Sequence, residues 1–167
     1  MPLESDLFSF KILTAADFES YKTWYMNEDV MLFITGNAPS FDQVDMRFQK
    51  ALGTNRTYPN MGWHLVYLKA TQVFIGIVKL TPLGAYEAEV GYGILPEFWG
   101  NGYGREMLRA LVAHAINLGS IGSLVAITHP DNAASRRILE NASFTFEHSK
   151  EGELGQSDYF KRILKPS

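Results

Sequence analysis

Apolar residues recur along this chain first at every second position and then at every third or fourth, and the changes of period mark the elements. Residues 7–13 (LFSFKIL) alternate well enough for a first strand. Thr14 then reads as an N-cap with Asp17 three residues on. A helix is expected from there to about residue 26, with Phe18, Tyr21, Trp24 and Tyr25 as an aromatic face that packs in the core, or at the helix end borders a substrate pocket. Residues 27–39 read as a turn, a short extended piece and a loop. Ser40 and Gln43 make a capping-box pair before a second helix, expected to end near residue 52, and residues 53–62 read as loop. Two alternating runs, 63–69 and 73–80, are spaced as a hairpin, and a polar loop around Gly84 leads to a fourth strand over 86–95.

The chain is organised around residues 89–118, EVGYGILPEFWGNGYGREMLRALVAHAINL. The strand gives way to a glycine-rich turn, and that turn opens into a helix. Met107, Leu108, Leu111, Val112, Ala115 and Leu118 share one helical face, while Arg105, Glu106, Arg109 and Asn117 occupy the other. Residues 122–128 (GSLVAIT) form a continuous apolar run of the kind found in buried parallel strands. HPDN then introduces a short helix over 133–141. Strands over 144–149 and 158–164 close the chain around a Gly- and Glu-rich loop. The order implies an α/β protein with a helical crossover between strands four and five.

The turn WGNGYG carries chemistry. Three glycines, Gly100, Gly102 and Gly104, permit positive φ and let a ligand approach the main chain. The first amides of a helix lack intrahelical partners, and the macrodipole makes that end positive. Such a turn can hold a pyrophosphate through backbone N–H groups, although a tight strand-to-helix connection uses the same residues. No Gly-Lys-Ser/Thr follows, so it is not a P-loop, and the glycine spacing differs from the dinucleotide fingerprint.

Composition narrows the chemistry. The 167 residues fit one domain, 1–167, without repeats or linkers, with 46% hydrophobic and 20% charged residues. A net charge of -3 gives no case for nucleic-acid or anionic-membrane binding. No apolar run is long enough to span a bilayer, and MPLESDLFSF lacks a signal-peptide pattern, so a cytoplasmic location is expected. The absence of cysteine excludes a thiol nucleophile and thiolate metal sites. The four histidines, at 64, 114, 129 and 148, lack ligand spacing, and no metal site is expected.

A second motif lies in THPDNAASRRILENASF, residues 128–144. Taken alone, Asp131 or Asn132 reads as an N-cap and Ser135 as a solvated first-turn hydroxyl. Together, however, the two segments resemble the GNAT superfamily of N-acyltransferases. Trp99 through Gly104 match its Gln/Arg-x-x-Gly-x-Gly/Ala motif, with Trp99 in place of Gln or Arg. Asn132, Ser135, Glu140 and Phe144 fit its Asn-x-x-Ser-x-x-x-x-Glu-Lys-x-Gly-Phe pattern, with Asn141 and Ser143 departing from it. The flanking EVGYGILPEFWG and GREMLRAL are closest to the branch that acetylates ribosomal-protein N-termini. A Ser143 held at φ > 0 is expected to cost roughly 1 kcal/mol.

The resemblance implies the GNAT fold: a mixed central sheet of six to seven strands splayed between strands four and five, with about four helices. It also implies acetyl-CoA as acyl donor and direct attack by an amine in a ternary complex. The amides of Gly100, Asn101, Gly102, Tyr103, Gly104 and Arg105 would take the pyrophosphate. Gly93, Ile94 and Leu95 would hold the pantetheine arm and supply an oxyanion donor, and Asn132 would hold the arm by its side-chain amide. The family's usual tyrosine position holds Leu139, which leaves Ser135 or Tyr159 to protonate the thiolate.

Strand alternation puts Glu89, Gly91, Gly93 and Leu95 on one face, a carboxylate beside two missing side chains where a ligand could lie. Glu89 is the first choice as general base, with a solvated surface role, or a bulge at the glycines, as the plainer alternative. Glu147, Glu151, Glu153 and His64 are weaker choices. The acceptor is expected to be a protein N-terminal amine. A small amine (amino acid, polyamine or aminoglycoside) and a catalytically silent acyl-CoA-binding module are the competing readings. The sequence leaves monomer and homodimer equally open.

Overall fold

The computed structural model describes residues 2–152 and 155–164. Seven strands form one sheet: β1 (Phe8–Ile12), β2 (Gly62–Leu68), β3 (Phe74–Pro82), β4 (Glu87–Ile94), β5 (Ser123–Thr128), β6 (Thr145–Gly152) and β7 (Gly155–Ile163). Their spatial order is β1-β2-β3-β4-β5-β7-β6. The helices are α1 (Phe18–Tyr25), α2 (Glu28–Met31), α3 (Phe41–Thr57), α4 (Tyr103–Leu118) and α5 (Ala133–Asn141). None of the described helices is long and apolar enough to cross a membrane.

The pair β4–β5 is parallel, as the α4 crossover requires, and the other neighbours are antiparallel. Pairing of β4 with β5 stops at Val90↔Ala126, whereas β4 stays paired with β3 as far as Ile94↔Gly76. Residues 91–94 therefore have a strand neighbour on one side only. This is the expected splay. The β3–β4 register runs without a shift, so no bulge interrupts the alternation of residues 88–94.

The alternation divides the core in two. On the back face Val90 of β4 and Phe160 of β7 pack with Leu108 and Leu111 of α4 and Leu139 of α5. On the front face Leu65 and Ile77 pack with Tyr21 and Trp24 of α1 and Phe48 of α3. Odd-numbered residues of β4 thus face the helices α1 to α3, and even-numbered ones face α4 and α5.

Three segments differ from the sequence expectation. The piece expected to be extended after residue 27 is the one-turn helix α2, which makes five α-helices among the described residues rather than about four. Asn27 caps it, accepting from Val30 N at 3.1 Å, and Glu28 and Asp29 sit at its positive end. Helix α3 runs on to Thr57 instead of ending near residue 52. Thr54 and Thr57 fold their hydroxyls back onto the carbonyls of Lys50 and Gly53. Buried Asn55 donates to Leu13 O and Trp63 O and accepts from Trp63 N at 2.7 Å, so a tertiary contact carries the helix through a polar stretch. The last hairpin is longer at both strands than expected, because cross-strand pairing continues to Gly152↔Gly155.

Helix α5 ends as its motif implies. Phe144 N donates to Leu139 O and Ser143 N to Glu140 O, the two bonds of a Schellman cap, with Leu139 and Phe144 both buried beside it. Ser143 takes φ +66°, the strained conformation anticipated for a non-glycine there.

Candidate active site

The glycine turn is built from backbone. Gly100 (φ +80°) and Gly102 (φ +78°) are left-handed, and a side chain at either would meet nothing within 4 Å, so conformation rather than crowding demands glycine. Gly104 differs: a Cβ there would lie 3.2 Å from Ile138 Cδ1, and its role is close packing of α4 on α5. Trp99 is exposed, yet its indole N–H donates to Ile94 O at 2.8 Å and pins the turn to the end of β4. Asn101 Nδ2 donates to Phe98 O at 3.0 Å. Tyr103 packs edge-on against Phe8.

Among the described residues none of the amides of 100–105 has a protein acceptor. The first to find one is Glu106 N, on Gly102 O. A row of unpaired donors at the positive end of a sixteen-residue helix fits a diphosphate.

The splayed part of β4 continues the path. Leu95 N donates to Ile75 O at 2.8 Å. In an antiparallel ladder the same parity turns the Gly93 amide toward β3 and leaves the amides of Tyr92 and Ile94 facing the gap. The Ile94 carbonyl is already taken by Trp99, and the Gly93 carbonyl accepts from Trp24 Nε1 at 3.0 Å. Ile94 N–H is therefore a donor aimed at whatever lies between β4 and β5.

A cavity of about 240 Å³ runs through the sheet at this gap. Tyr92, Ser135 and Leu139 line it from the back face. Trp24, Trp63, Lys79 and Glu89 line it from the front. The Tyr92 hydroxyl lies 3.2 Å from Ser135 Oγ, and burial pushes the phenol up to about 12. Leu139 is a core residue. Asn132 caps α5, its Oδ1 accepting from Ser135 N at 3.1 Å, which leaves its NH₂ to donate elsewhere.

On the front face Glu89 is paired with Lys79 (Oε1–Nζ 2.7 Å) and only 18% of its side chain is exposed, so it is not a solvated surface charge. The spaces left by the two glycines are filled by protein and are not open to a ligand. A Cβ on Gly91 would lie 2.8 Å from Lys79 Cε, and one on Gly93 would fall within the Trp24 indole. The glycines admit a lysine stem and a tryptophan. Lys79 Nζ also lies 5.3 Å from the Trp63 ring centroid.

These features have counterparts elsewhere. Residues 10–145 match the acetyltransferase (GNAT) domain family. The chain belongs to the GNAT family. It is similar to YoaA of Bacillus subtilis strain 168, an uncharacterized N-acetyltransferase, at 27% identity over 160 residues, 94% of this chain and 88% of the relative. The fold is similar to that of RimL, the ribosomal L7/L12 alpha-N-protein acetyltransferase in complex with coenzyme A (TM-score 0.82, 17% identity, 99% and 98% of the two chains). It is also similar to that of spermidine N-acetyltransferase from Vibrio cholerae, in complex with coenzyme A and spermine (TM-score 0.78, 15% identity, 95% and 96%). This GNAT protein is an acetyltransferase, with acetyl-CoA as its acyl donor.

The GNAT cavity gathers Glu89 and Ser135 but not the other candidates. His64 lies on the back face beside His114, where burial lowers its pKa to about 4. Tyr159 stacks on His148 (ring centroids 4.6 Å apart) and is not itself a cavity wall, although its strand partner Ile127 is. Glu147 and Glu151 are exposed on β6, and Glu153 lies outside the described residues. Sequence reasoning missed Tyr92, Lys79 and Trp63, while Trp24 and Tyr25, at the end of the first helix, do border the cavity, in line with the second reading of that helix end. For Tyr92 a signal existed: it is the even-numbered neighbour of Ile94 on the strand that parts from β5. Lys79 reaches the site through the β3–β4 register, which pairs it with Gly91.

Proposed function

We propose that this enzyme acetylates a primary α-amine, most directly the N-terminus of a protein. The observation that carries the reading is the charge at the acceptor end. Among the described residues Glu89 is the one carboxylate on the cavity walls, and Lys79 balances it. A polyamine or aminoglycoside calls for several carboxylates, and would bring further ammonium groups up to Lys79. An α-amine has a pKa near 8, against about 10.4 for a lysine amine, so one modest base can deprotonate it.

Acetyl-CoA supplies the acetyl group as an activated thioester. In this reading the amides of 100–105 hold the diphosphate, and the free NH₂ of Asn132 with the gap-facing side of β4 holds the arm. Ile94 N–H donates to the carbonyl oxygen as negative charge develops on it. Gly93 and Leu95 shape the strand but direct their own amides at β3. Glu89 accepts the proton lost by the amine as the N–C bond forms. The departing sulfur takes its proton from the Tyr92–Ser135 hydroxyl pair as the C–S bond breaks. The Tyr92 phenol, raised to about 12 by burial, carries its proton at neutral pH as an ordinary phenol does.

Release of free thiol from acetyl-CoA, measured with a peptide bearing a free N-terminus, the same peptide N-blocked, spermidine and an aminoglycoside, tests this. Turnover of the free peptide alone is expected. Turnover of spermidine with none of the peptide would overturn the acceptor assignment. For the proton donors, Tyr92→Phe and Ser135→Ala should each slow turnover, with the double variant no slower than the worse single one. Full additivity would separate the two hydroxyls.

A further inference from the structure

The front half of the cavity is walled by aromatic rings fixed from behind. Trp24 is held by its bond to Gly93 O and meets Tyr25 edge-on at 5.2 Å. Arg47 lies over the outer face of Tyr25, with 5.1 Å between its guanidinium carbon and the ring centroid. Trp63 forms the wall on β2. Phe33 and Ile34, in the turn after α2, stand at the mouth, both more than a third exposed, with Phe33 5.5 Å from the His129 ring at the end of β5. The turn after α2 thus reaches across the splayed gap and gives the cavity an apolar rim. The ionic groups on the front-face floor, Lys79 and Glu89, satisfy each other.

Resting on the reading of this cavity as the acceptor end, we infer that the acceptor carries a large apolar or aromatic group on the carbon bearing the amine, seated among Trp24, Tyr25, Phe33 and Trp63. The amine itself lies against Glu89. A hydroxyl or charged group in that seat would exchange water for ring faces, which offer it no ordinary hydrogen bond. A methyl side chain would leave the rings in contact with solvent. Apolar pockets discriminate by about 10- to 200-fold per methylene lost or gained. The same chemistry is offered by a polypeptide beginning with a large apolar residue and by a free arylalkylamine.

The test measures kcat/KM of the full-length enzyme with acetyl-CoA on peptides identical except for a first residue of Phe, Leu, Met, Ala, Ser or Asp, and on phenylethylamine and spermidine. Phe, Leu or Met peptides should exceed the Ser and Asp peptides by at least about tenfold. Phe33→Ala and Ile34→Ser, at exposed positions in the turn after α2, should narrow that ratio, with thermal midpoints confirming that both variants fold. Equal or better turnover of the Ser or Ala peptide overturns the inference, as does spermidine as best acceptor, or a ratio untouched by both variants. Phenylethylamine outpacing every peptide would uphold the apolar seat while removing the protein N-terminus as acceptor, so the two readings fail separately.

Discussion

The two ends of the cavity are made of different material. The end assigned to the donor is main chain from one short run, residues 99–105, and its shape depends on two left-handed glycines and a helix start. The end assigned to the acceptor is side chain, with Trp24, Phe33, Trp63, Lys79 and Glu89 drawn from helix, turn and three strands. A backbone site tolerates unusual side chains: Trp99 stands where the family has Gln or Arg and merely fastens the turn to Ile94 O. A side-chain site has no such tolerance, since each wall is a separate choice.

The sharpest way to break this comparison is at the acceptor end, with Glu89→Gln. Removing a positioned base typically costs 10²- to 10⁴-fold, so kcat/KM should fall by about that much while the affinity for acetyl-CoA stays unchanged. The deficit should shrink as pH rises toward 8 and beyond, because an α-amine then loses its proton unaided. If acetyl-CoA affinity falls in step with turnover, or the deficit is the same at every pH, the pair Lys79–Glu89 is structural and the two ends are not separable.

The next largest effect belongs to the back layer, on which the donor end rests. His64 on β2 lies beside His114 of α4, whose Nε2 is 2.8 Å from Asn60 O. Burial holds His64 down at about 4, against an ordinary value of 6.5, with His114 adding a smaller push. Between those values the unfolded chain binds a proton that the folded chain refuses. Stability should therefore be full above pH 6.5 and decline as pH falls toward 4, by up to about 3 kcal/mol. Denaturant midpoints measured over that window should fall, and His64→Phe should flatten the curve. A wild-type curve already flat from pH 6.5 to 4 would mean that His64 is not held neutral.

At the donor end, Gly102→Val sharpens the contrast. The added side chain meets no protein atom but must accept φ +78°, at about 1–2 kcal/mol, and it projects beside the unpaired amides. The KM for acetyl-CoA should rise about tenfold with little change in acceptor preference, the reverse of the Glu89 pattern. Steady-state kinetics varying each substrate in turn separates the two. An unchanged KM for acetyl-CoA would remove the turn from the site.

What was legible in the sequence follows the same division. The glycine turn, the α4 face, the α5 limits and the β4–β5 crossover could all be read because each is local or spelled in order by the chain, whereas the splay came only with the family resemblance. The parity of β4 was also readable, and the faces of Glu89 and Tyr92 with it. The front cavity was not. Gly91 and Gly93 look like vacancies in one dimension, and only the β3–β4 register and the docking of α1 put Lys79 and Trp24 there. The end of α3 was misread for a related reason. The polar run through Thr57 has loop composition, and Asn55 keeps it helical through bonds to Leu13 and Trp63, partners that local propensity does not contain.

The smallest expected effect lies between the two ends, at the close of α5, the helix that carries Asn132 and Ser135. Ser143 completes the Schellman cap at φ +66°, a conformation that glycine adopts freely and serine does not. Ser143→Gly should raise stability by about 0.5–1 kcal/mol, since relief of the left-handed strain outweighs the extra freedom glycine gains when unfolded. The cap bonds from Ser143 N and Phe144 N are main-chain and survive the change, so Leu139 and Phe144 keep their places. Turnover should therefore stay at the wild-type rate while the thermal midpoint rises. A loss of activity with the gain in stability would mean that the strain at Ser143 holds Ser135 in register with Tyr92, and that the hydroxyl pair depends on the end of its helix as well as on its cap.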